Sequence, residues 1–238
     1  MTLHSTYIAG SLAYWETHRK RLVDAVGVNV VKFVDDFVSS PLAAADAPLG
    51  WTVTLVEAGA GESTITKPDG IGGTLLLTTD ANEDDGIEMQ LAGEAFELTS
   101  DQRAVYFGIK FQCDEATQID WLVGLCITDT TLLGGMTDGV YFEKLDGGTG
   151  VSFTVEKNSI ETQADALATF AAATDIVLEF YWDGATLEAF INGVSVAKPV
   201  LTNLPDDEAL TPSIQVLAGS AAIRTMTIDW IRAIQIGR

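Results

Sequence analysis

From Trp51 to the end of the chain, apolar and polar residues alternate in short runs that turn-forming pairs separate. The run VYFGIKFQC at 105–113 has apolar side chains at its odd positions, whereas its even positions include Lys110 and Gln112. This alternation is typical of an antiparallel strand with one buried face. The separating Asp-Gly and Asn-Gly pairs favour tight hairpin turns. Because about a dozen such strands follow one another without regular helices between them, the pattern predicts an all-β, antiparallel β-sandwich of the jelly-roll type.

The first part of the chain follows a different pattern. Residues 11–26, SLAYWETHRKRLVDAV, carry apolar side chains at helical spacing, with a capping serine at the start and a glycine directly after the end. We therefore predict a short N-terminal arm with a helix over residues 1–32, followed by the sandwich over residues 33–238. The stretch ADALATFAAA at 164–173 predicts a second, short crossing helix.

Charge divides the chain in the same way. The protein has 238 residues, of which 34 are acidic and 13 are basic, giving a formal net charge of -21. Residues 1–40 hold equal numbers of basic and acidic residues, so the net charge lies downstream. An acidic body repels phosphate backbones, and we expect no nucleic-acid partner. No apolar run reaches the roughly 18 residues that a membrane span requires, so we expect no membrane partner.

The two cysteines, Cys113 and Cys126, are too few for a disulfide framework. The runs that contain them predict a hairpin whose register places Cys113 beside Asp120 rather than beside Cys126. The two thiols are then too far apart to bridge, and we expect both to stay reduced. The opening MTLHST lacks the basic residues of a secretory leader, which favours synthesis in a cytoplasm.

Three stretches resemble the concanavalin A-like lectin/glucanase superfamily: DDF at 35–37, FYWDGATLEAFINGVSV at 180–196 and MTIDWIRAIQI at 226–236. The resemblance covers residues 33–238 and implies a concanavalin A-like sandwich. It implies little about function, because this fold hosts lectins, hydrolases, adhesive modules and virion proteins. Three aromatic residues of the second stretch are predicted to pack within the sheet rather than to form a sugar platform: Phe180, Trp182 and Phe190.

Glucanases of this superfamily resemble one another in a strand motif of the form E-x-D-x-E or E-x-D-x-x-E, which holds the two reacting carboxylates on one face. No predicted strand of this chain carries the motif. The nearest pairs, Glu94 with Glu97 and Glu143 with Asp146, fall on opposite faces of an extended strand. From this we expect no glycosidase activity and a protein that is not an enzyme.

An acidic loop is the candidate metal site. The segment TTDANEDDGIE places four oxygen-bearing side chains close together, namely Asp80, Asn82, Asp84 and Asp85. Lectins of the resembled superfamily use acidic loops to bind Ca²⁺. The positions of the glycine and of the twelfth residue depart from a calcium-binding EF-hand, however, so an ordinary acidic turn is favoured. We expect no cofactor and no metal.

The middle of the chain also resembles structural proteins of tailed bacteriophages, in the stretches LTTDANEDDGIEMQLAGEAF, TDGVYFEKLDGG and VSFTVEKNSIETQ. This resemblance implies a virion structural protein, namely a capsid decoration or cement protein that stabilises the phage head by bridging capsid subunits. It further implies the major capsid protein as partner, a homotrimer as assembly and the capsid surface as location.

The arm would then supply apolar anchors and a basic cluster that contact the capsid: Leu12, Trp15, Leu22, His18, Arg19, Lys20 and Arg21. The alternative is that the helix packs on its own sandwich. An alternative function of another class is a carbohydrate-binding, lectin-like module or virion adhesin that binds a surface glycan through exposed aromatic residues and the acidic loop.

Overall fold

The computed structural model describes residues 3–16, 20–39, 42, 48–57, 61–69, 72–101 and 104–237. The strands in these ranges are β1 (Leu3–Ile8), β2 (Ser11–Glu16), β3 (Leu22–Val26), β4 (Val30–Asp35), β5 (Trp51–Val56), β6 (Thr64–Thr66), β7 (Leu75–Thr78), β8 (Gly86–Leu91), β9 (Ala104–Cys113), β10 (Ile119–Cys126), β11 (Gly139–Lys144), β12 (Gly150–Lys157), β13 (Ile160–Thr169), β14 (Ile176–Trp182), β15 (Leu187–Ile191), β16 (Val194–Ala197), β17 (Thr211–Ala218) and β18 (Thr225–Ile236). A four-residue turn over Leu132–Gly135, in which Leu133 and Gly134 have non-helical backbone angles, and a 3₁₀ turn (Leu201–Asn203) accompany them. Across the described ranges, no helix is long and apolar enough to cross a membrane.

Two sheets form the body of the protein. The seven-stranded sheet has the order β13-β12-β11-β10-β17-β8-β5. The eight-stranded sheet has the order β16-β15-β14-β9-β18-β7-β6, and β4 also pairs with β18. The central pairings of both sheets are antiparallel. The predicted all-β antiparallel sandwich is therefore confirmed.

The main core fills the space between the two sheets. Phe111 of β9 meets Trp121 of β10 across this space, with ring centroids 5.1 Å apart. Phe153 of β12 meets Phe180 of β14 in the same way, at 5.8 Å. All four rings are buried, and each aromatic pair stabilises the sandwich beyond the burial of its apolar area. Alternate residues of the same strands point away from this core, and those of the seven-stranded sheet form the candidate site described below.

The predicted hairpin of the two cysteine-containing strands is not formed. β9 belongs to the eight-stranded sheet and β10 to the seven-stranded sheet, so the chain crosses the sandwich between Cys113 and Ile119. Cys113 pairs with Met226 of β18 instead of lying beside Asp120. The two cysteines are buried and lie in different sheets. Both segments were correctly predicted as strands, but the pattern of a strand does not identify its neighbour in the sheet.

The predicted N-terminal helix is wrong. Residues 11–16 and 22–26 form β2 and β3, and β1 completes a separate three-stranded antiparallel sheet in the order β1-β2-β3, here called the N-terminal sheet. Ala9 and Gly10 both have positive φ, as a tight turn between paired strands requires, and they connect β1 directly to β2. Ser11, Ala13 and Trp15 are buried while their neighbours are less so, which is the period of a strand.

The N-terminal sheet packs on the outer face of the eight-stranded sheet and forms a second apolar cluster there. Its members are Ala13, Trp15, Leu22 and Ala25 from the N-terminal sheet, and Ala104, Tyr106, Tyr181, Phe190, Ile234 and Ile236 from the sandwich. Trp15 meets Tyr181 edge-on at 5.2 Å between ring centroids. The segment predicted as an arm is therefore packed on its own sandwich, as the alternative prediction held, but as strands instead of a helix.

The second predicted helix is wrong as well. Most of the stretch 164–173 belongs to the edge strand β13, which pairs with β12 up to Thr169. Its alanines favour a helix when taken alone, but pairing with β12 outweighs that weak propensity. Ala166 has positive φ where the register shifts between Val151 and Phe153, so a bulge interrupts the strand that the alanines form.

Candidate functional site

The outward face of the seven-stranded sheet is lined with polar side chains, and we call it the polar face. Its residues are Glu88, Gln90, Asp120, Tyr141, Glu143, Thr154, Glu156, Glu161, Gln163, Ser213 and Gln215. The strand register brings them together, because Gln215 pairs with Glu88 and Tyr141 pairs with Thr154, which in turn pairs with Gln163. Many of these side chains are buried, although they face away from the main core. A covered polar face of this kind needs hydrogen-bond partners, and the structure provides them.

A cavity of about 190 Å³ opens on this face, and we call it the glutamate cavity. Its polar lining consists of Tyr141, Glu143, Glu156, Ser159 and Glu161. Its apolar wall consists of Leu122, Leu132, Leu133 and Met136, with Gly134 and Gly135. The floor comes from β11, β12 and β13. Three carboxyl groups thus share one small space with a phenol.

Glu143 is held in place by two hydrogen bonds. Thr154 donates its hydroxyl to Glu143 Oε1 at 2.9 Å, and the amide of Gln163 donates to the same oxygen. Burial raises the pKa of Glu143 despite these donors. The side chain is therefore fixed in orientation, and its carboxyl group carries a proton more readily than an exposed glutamate.

Glu156 and Tyr141 form a second pair beside it. Tyr141 donates its hydroxyl to Glu156 Oε2 at 3.0 Å. Burial raises the pKa of Glu156 to about 7, and it also raises the pKa of Tyr141. Gly124 lies opposite Tyr141 in β10, and a β-carbon there would be 2.4 Å from the carbonyl oxygen of Val140. Glycine at position 124 therefore lets β11 pack closely against β10. The pKa of about 7 means that Glu156 can exchange a proton near neutral pH.

The loop from β10 to β11, residues 127–138, folds over the polar face, and we call it the strap. Its base is closed by the backbone bond from Ile127 N to Asp138 O, 2.9 Å. Leu132 N donates to Glu88 Oε2 at 3.2 Å, and Leu133 N donates to Gln215 Oε1 at 2.8 Å. Burial raises the pKa of Glu88 to about 7. The strap therefore occupies the β8–β17 part of the polar face, whereas the glutamate cavity occupies the β11–β13 part.

The acidic loop has a different arrangement from the one predicted. Carboxylate oxygens of Glu57, Asp80 and Asp85 all lie within 4.8 Å of one another. The amide of Asn82 donates to Asp80 at 3.2 Å and to Asp85 at 2.9 Å. Asp84 is not in the group. Glu57 lies on a distant part of the sequence, so no local spacing reveals it.

Several of the predicted capsid-contact residues form contacts within the protein itself. Trp15 and Leu22 belong to the N-terminal sheet and are buried between it and the sandwich, and Trp15 donates its indole N–H to Thr6 at 3.0 Å. Lys20 forms an ion pair with Glu188, and Arg21 forms ion pairs with Glu179 and Glu16. Leu12 is half-buried, and His18 and Arg19 lie outside the described residues. Contact with a capsid stays a prediction.

The aromatic residues of 180–196 follow the prediction. Phe180, Trp182 and Phe190 are buried, and Trp182 donates its indole N–H to the carbonyl of Thr99 at 2.9 Å. The prediction that they pack within the structure is confirmed.

The two carboxylate pairs singled out in the sequence do not meet at one site. Glu94 accepts a hydrogen bond from Thr128 N of the strap at 2.7 Å, and Asp146 N donates to Asp120 at 2.6 Å.

Glu143 is the one member of those pairs that lines the cavity, and its partners were missed. Tyr141 lies two residues before it on β11, and Glu156 comes from β12. A signal was present, because β11 and β12 both place polar residues at alternate positions of otherwise apolar strands. The missing information was the pairing of these two strands.

Comparison with known proteins finds likeness in structure alone. No protein-family model matches the sequence, and no curated protein matches it. Among similar solved structures is an endo-1,3-β-glucanase from Streptomyces sioyaensis, with a TM-score of 0.62 and 12% identity over 91% of this chain and 100% of that one. A β-glucanase of Bacillus licheniformis has a TM-score of 0.60 and 14% identity over 85% and 97%. The carbohydrate recognition domain of Emp46p has a TM-score of 0.54 and 11% identity over 77% and 87%.

The chain has the concanavalin A-like jelly-roll fold. At these identities the likeness shows the fold alone, but it overturns one prediction. The conclusion that the protein is not an enzyme rested on the absence of one strand motif, and it is contradicted by the likeness of this concanavalin A-like sandwich to glucanases. Carboxyl groups from neighbouring strands also meet on the polar face, which a search for a motif within one strand cannot detect.

Proposed function

We propose that the glutamate cavity is a glycan-binding site and that the protein is a lectin-like, carbohydrate-recognising protein. The proposal is carried by the grouping of Tyr141, Glu143, Glu156 and Glu161 around one cavity on the outward face of the sandwich. Carboxyl and phenol groups in fixed positions accept and donate hydrogen bonds, as sugar hydroxyls require. The fold supports the proposal, since similar structures include glucanases and a carbohydrate recognition domain.

The charge of the site selects the kind of glycan. Among its described lining residues, the cavity has three glutamates and no lysine or arginine. The whole chain carries a net charge of -21, which adds to the negative potential at the cavity. A uronic acid would be repelled, so the expected ligand is a neutral glycan such as a β-glucan.

Binding is tested by titrating the protein with neutral β-gluco-oligosaccharides and with an oligouronate. We expect saturable binding of the neutral series only. Glu143→Gln and Glu156→Gln are expected to raise Kd about tenfold or more, because each replacement puts an amide NH2, which only donates, in place of one oxygen of a carboxyl group that lines the cavity. The matched control is Glu62→Gln, which alters an exposed glutamate before β6. Failure of all neutral glycans to bind, or equal binding by all three variants, contradicts the proposal.

Cleavage of a glycosidic bond is a second candidate function, favoured by the pKa of about 7 of Glu156. A carboxyl group with such a pKa is partly protonated at neutral pH and can protonate a leaving oxygen. Glu143 would be the second carboxyl group that glycoside hydrolysis requires. The expected result is release of reducing ends from a β-glucan, lost in Glu156→Gln and kept in Glu62→Gln. Release that survives Glu156→Gln would remove this residue from the proposed role.

The remaining sequence-based predictions concern partners and place. Decoration of a phage capsid, the major capsid protein as partner, a homotrimer and location on a virion stay predictions. Glycan binding and a virion location are compatible, because an adhesin on a particle combines both. Co-sedimentation of the protein with purified phage heads would test the capsid partner directly.

A further inference from the structure

The strap is attached to the polar face by its own backbone. Asp129 N donates to Gln90 Oε1 at 2.9 Å, and Gln90 Nε2 donates back to Ile127 O at 2.9 Å. The bonds from Leu132 N to Glu88 and from Leu133 N to Gln215 continue this contact across β8 and β17. The polar groups of this part of the face are thereby used by the strap, and a ligand would have to displace it to reach them.

Apolar packing holds the strap as well. Leu132 and Met136 are buried in a cluster with Leu122, Cys126 and Tyr141 of the underlying strands. The strap thus combines several backbone hydrogen bonds with a small apolar core. Opening it would break both at once, so it behaves as a fixed wall of the glutamate cavity.

A second border of the cavity comes from the turn between β12 and β13. Asn158 N donates to Asp138 Oδ1 at 3.1 Å, and Ser159 N donates to Thr137 O at 2.9 Å. These bonds join the turn to the end of the strap. Ser159 and the strap residues Leu132 to Met136 then line the same cavity. The cavity is closed where turn and strap meet.

A separate depression of about 380 Å³ lies on the other side of the strap. Asp84, Asp120 and Asp146 line it together with Leu145 and Leu217. Leu133 lines this depression and the glutamate cavity, so the strap is the wall between them. A linear glycan that crossed the whole seven-stranded sheet would have to occupy both spaces, and the strap blocks the path between them.

We propose that the strap makes the glutamate cavity a one-ended subsite, which takes the terminal residue of a glycan chain and rejects internal residues. This inference rests on the proposed glycan-binding function. The volume of about 190 Å³ agrees with it. It equals the share of about six waters at roughly 30 Å³ each, which is the scale of one sugar ring. It is also below the roughly 300–1,000 Å³ of pockets that enclose drug-sized ligands.

The test compares neutral β-gluco-oligosaccharides of increasing length, each also prepared with its reducing end reduced or its non-reducing end capped. We expect the Kd of the wild-type protein to stop improving after the shortest binding oligosaccharide. One of the two end modifications should raise Kd about tenfold or more. A Kd that continues to improve with length, or that neither modification changes, overturns the inference while leaving glycan binding intact.

Two strap variants extend the test. In one, residues 129–133 are replaced by two glycines, and in the other Leu132→Ala removes the buried anchor while keeping the backbone. We expect both to bind longer oligosaccharides more tightly than short ones, by about tenfold for the shortened strap. If the variant with the shortened strap does not fold, the inference is tested by Leu132→Ala and by the length series on the wild-type protein. Absence of binding by every oligosaccharide overturns the proposed function, and the inference with it.

Discussion

At the scale of single residues, an ion pair joins the N-terminal sheet to the sandwich. Arg21 Nη2 donates to Glu179 Oε2 at 2.9 Å, its Nε donates to the other oxygen of Glu179, and Tyr106 donates its hydroxyl to Glu179 at 2.7 Å. Glu179 is 2% exposed, so its charge depends on these donors. The bond to Glu179 raises the pKa of Arg21, which keeps the guanidinium charged.

Replacement of Arg21 should be costly for stability. Arg21→Met leaves Glu179 buried without its cation, and we expect the free energy of unfolding to fall by about 3–5 kcal/mol in urea denaturation. The matched control is Lys32→Met, which breaks the exposed pair of Lys32 with Asp24 and should lower it by less than about 1 kcal/mol. Equal effects of the two replacements would show that Arg21 does not hold the sheet in place.

Buried glutamates make stability depend on pH. Glu88 and Glu156 have pKa values of about 7 in the folded protein, above the 4.5 of a free glutamate, because burial disfavours the charged form. Their stabilising contribution is complete below the unfolded pKa and is lost as pH rises through the folded pKa. Bonds from Thr117 and Ala116 lower the pKa of Glu115 to about 2, so its stabilising contribution is present above its unfolded pKa and is lost only as pH falls below that value.

We therefore expect Tm to fall between about pH 5 and about pH 8. The fall should be smaller in Glu156→Gln, because glutamine has no charge to bury, and smallest in the double replacement with Glu88→Gln. Calorimetry of the three proteins over this range measures it. A wild-type Tm that rises over the same interval would contradict the assigned cause.

The acidic loop gives a prediction about metal removal. Asn82 donates to both Asp80 and Asp85, so the loop has an internal partner for two of its carboxylates. We expect EDTA to leave Tm unchanged and added Ca²⁺ to raise it no more than added Mg²⁺ does. A large drop of Tm in EDTA that calcium alone restores would instead show a calcium site with Glu57 as a ligand.

At the scale of secondary-structure elements, the strands were predictable and their neighbours were not. Alternation along 105–113 identified β9, but the predicted wetter face is covered at Ala104 and Tyr106 by the N-terminal sheet, and only Lys110 and Gln112 are partly exposed. The N-terminal strands were missed because Leu12, Trp15 and Leu22 also fit a helical spacing. The turn at Ala9-Gly10 was the better signal. Glu143 was singled out but given the wrong partner, because pairing of β11 with β12 depends on the whole sheet and not on local spacing.

The N-terminal sheet is expected to be needed for a stable sandwich. Deleting residues 1–28 would uncover the apolar side of β9, β14 and β18, including Tyr106, Tyr181 and Ile234. We expect the truncated protein to aggregate or unfold at lower urea than the full chain. Trp15→Ala should lower the free energy of unfolding by about 3–5 kcal/mol, as large-to-small replacements in cores do. A truncated protein with an unchanged urea midpoint would show that the N-terminal sheet is an independent arm.

At the scale of the whole molecule, the two outward faces of the sandwich have different roles. The N-terminal sheet covers the part of the outer face of the eight-stranded sheet around Tyr106, Tyr181 and Ile234, and the strap covers part of the seven-stranded sheet. The expected boundary between residues 32 and 33 falls inside β4, which pairs with β18, so these residues belong to the sandwich. The glutamate cavity thus lies on the face that the N-terminal sheet leaves free, and a partner bound near β1 would not obstruct it.

The placement of the two cysteines gives the protein a built-in pair of reporters. Cys113 lies in one sheet and Cys126 in the other, and burial raises the pKa of both thiols. Cys113 belongs to the main core between the two sheets, whereas Cys126 lies in the apolar cluster beneath the strap. An alkylating reagent can therefore react with Cys113 only when the main core opens, and with Cys126 when the strap lifts from the polar face. Pulsed alkylation followed by peptide mass mapping would time the two events separately. Equal rates would mean that the strap opens only together with the sandwich, and faster labelling of Cys126 would mean that the strap opens first.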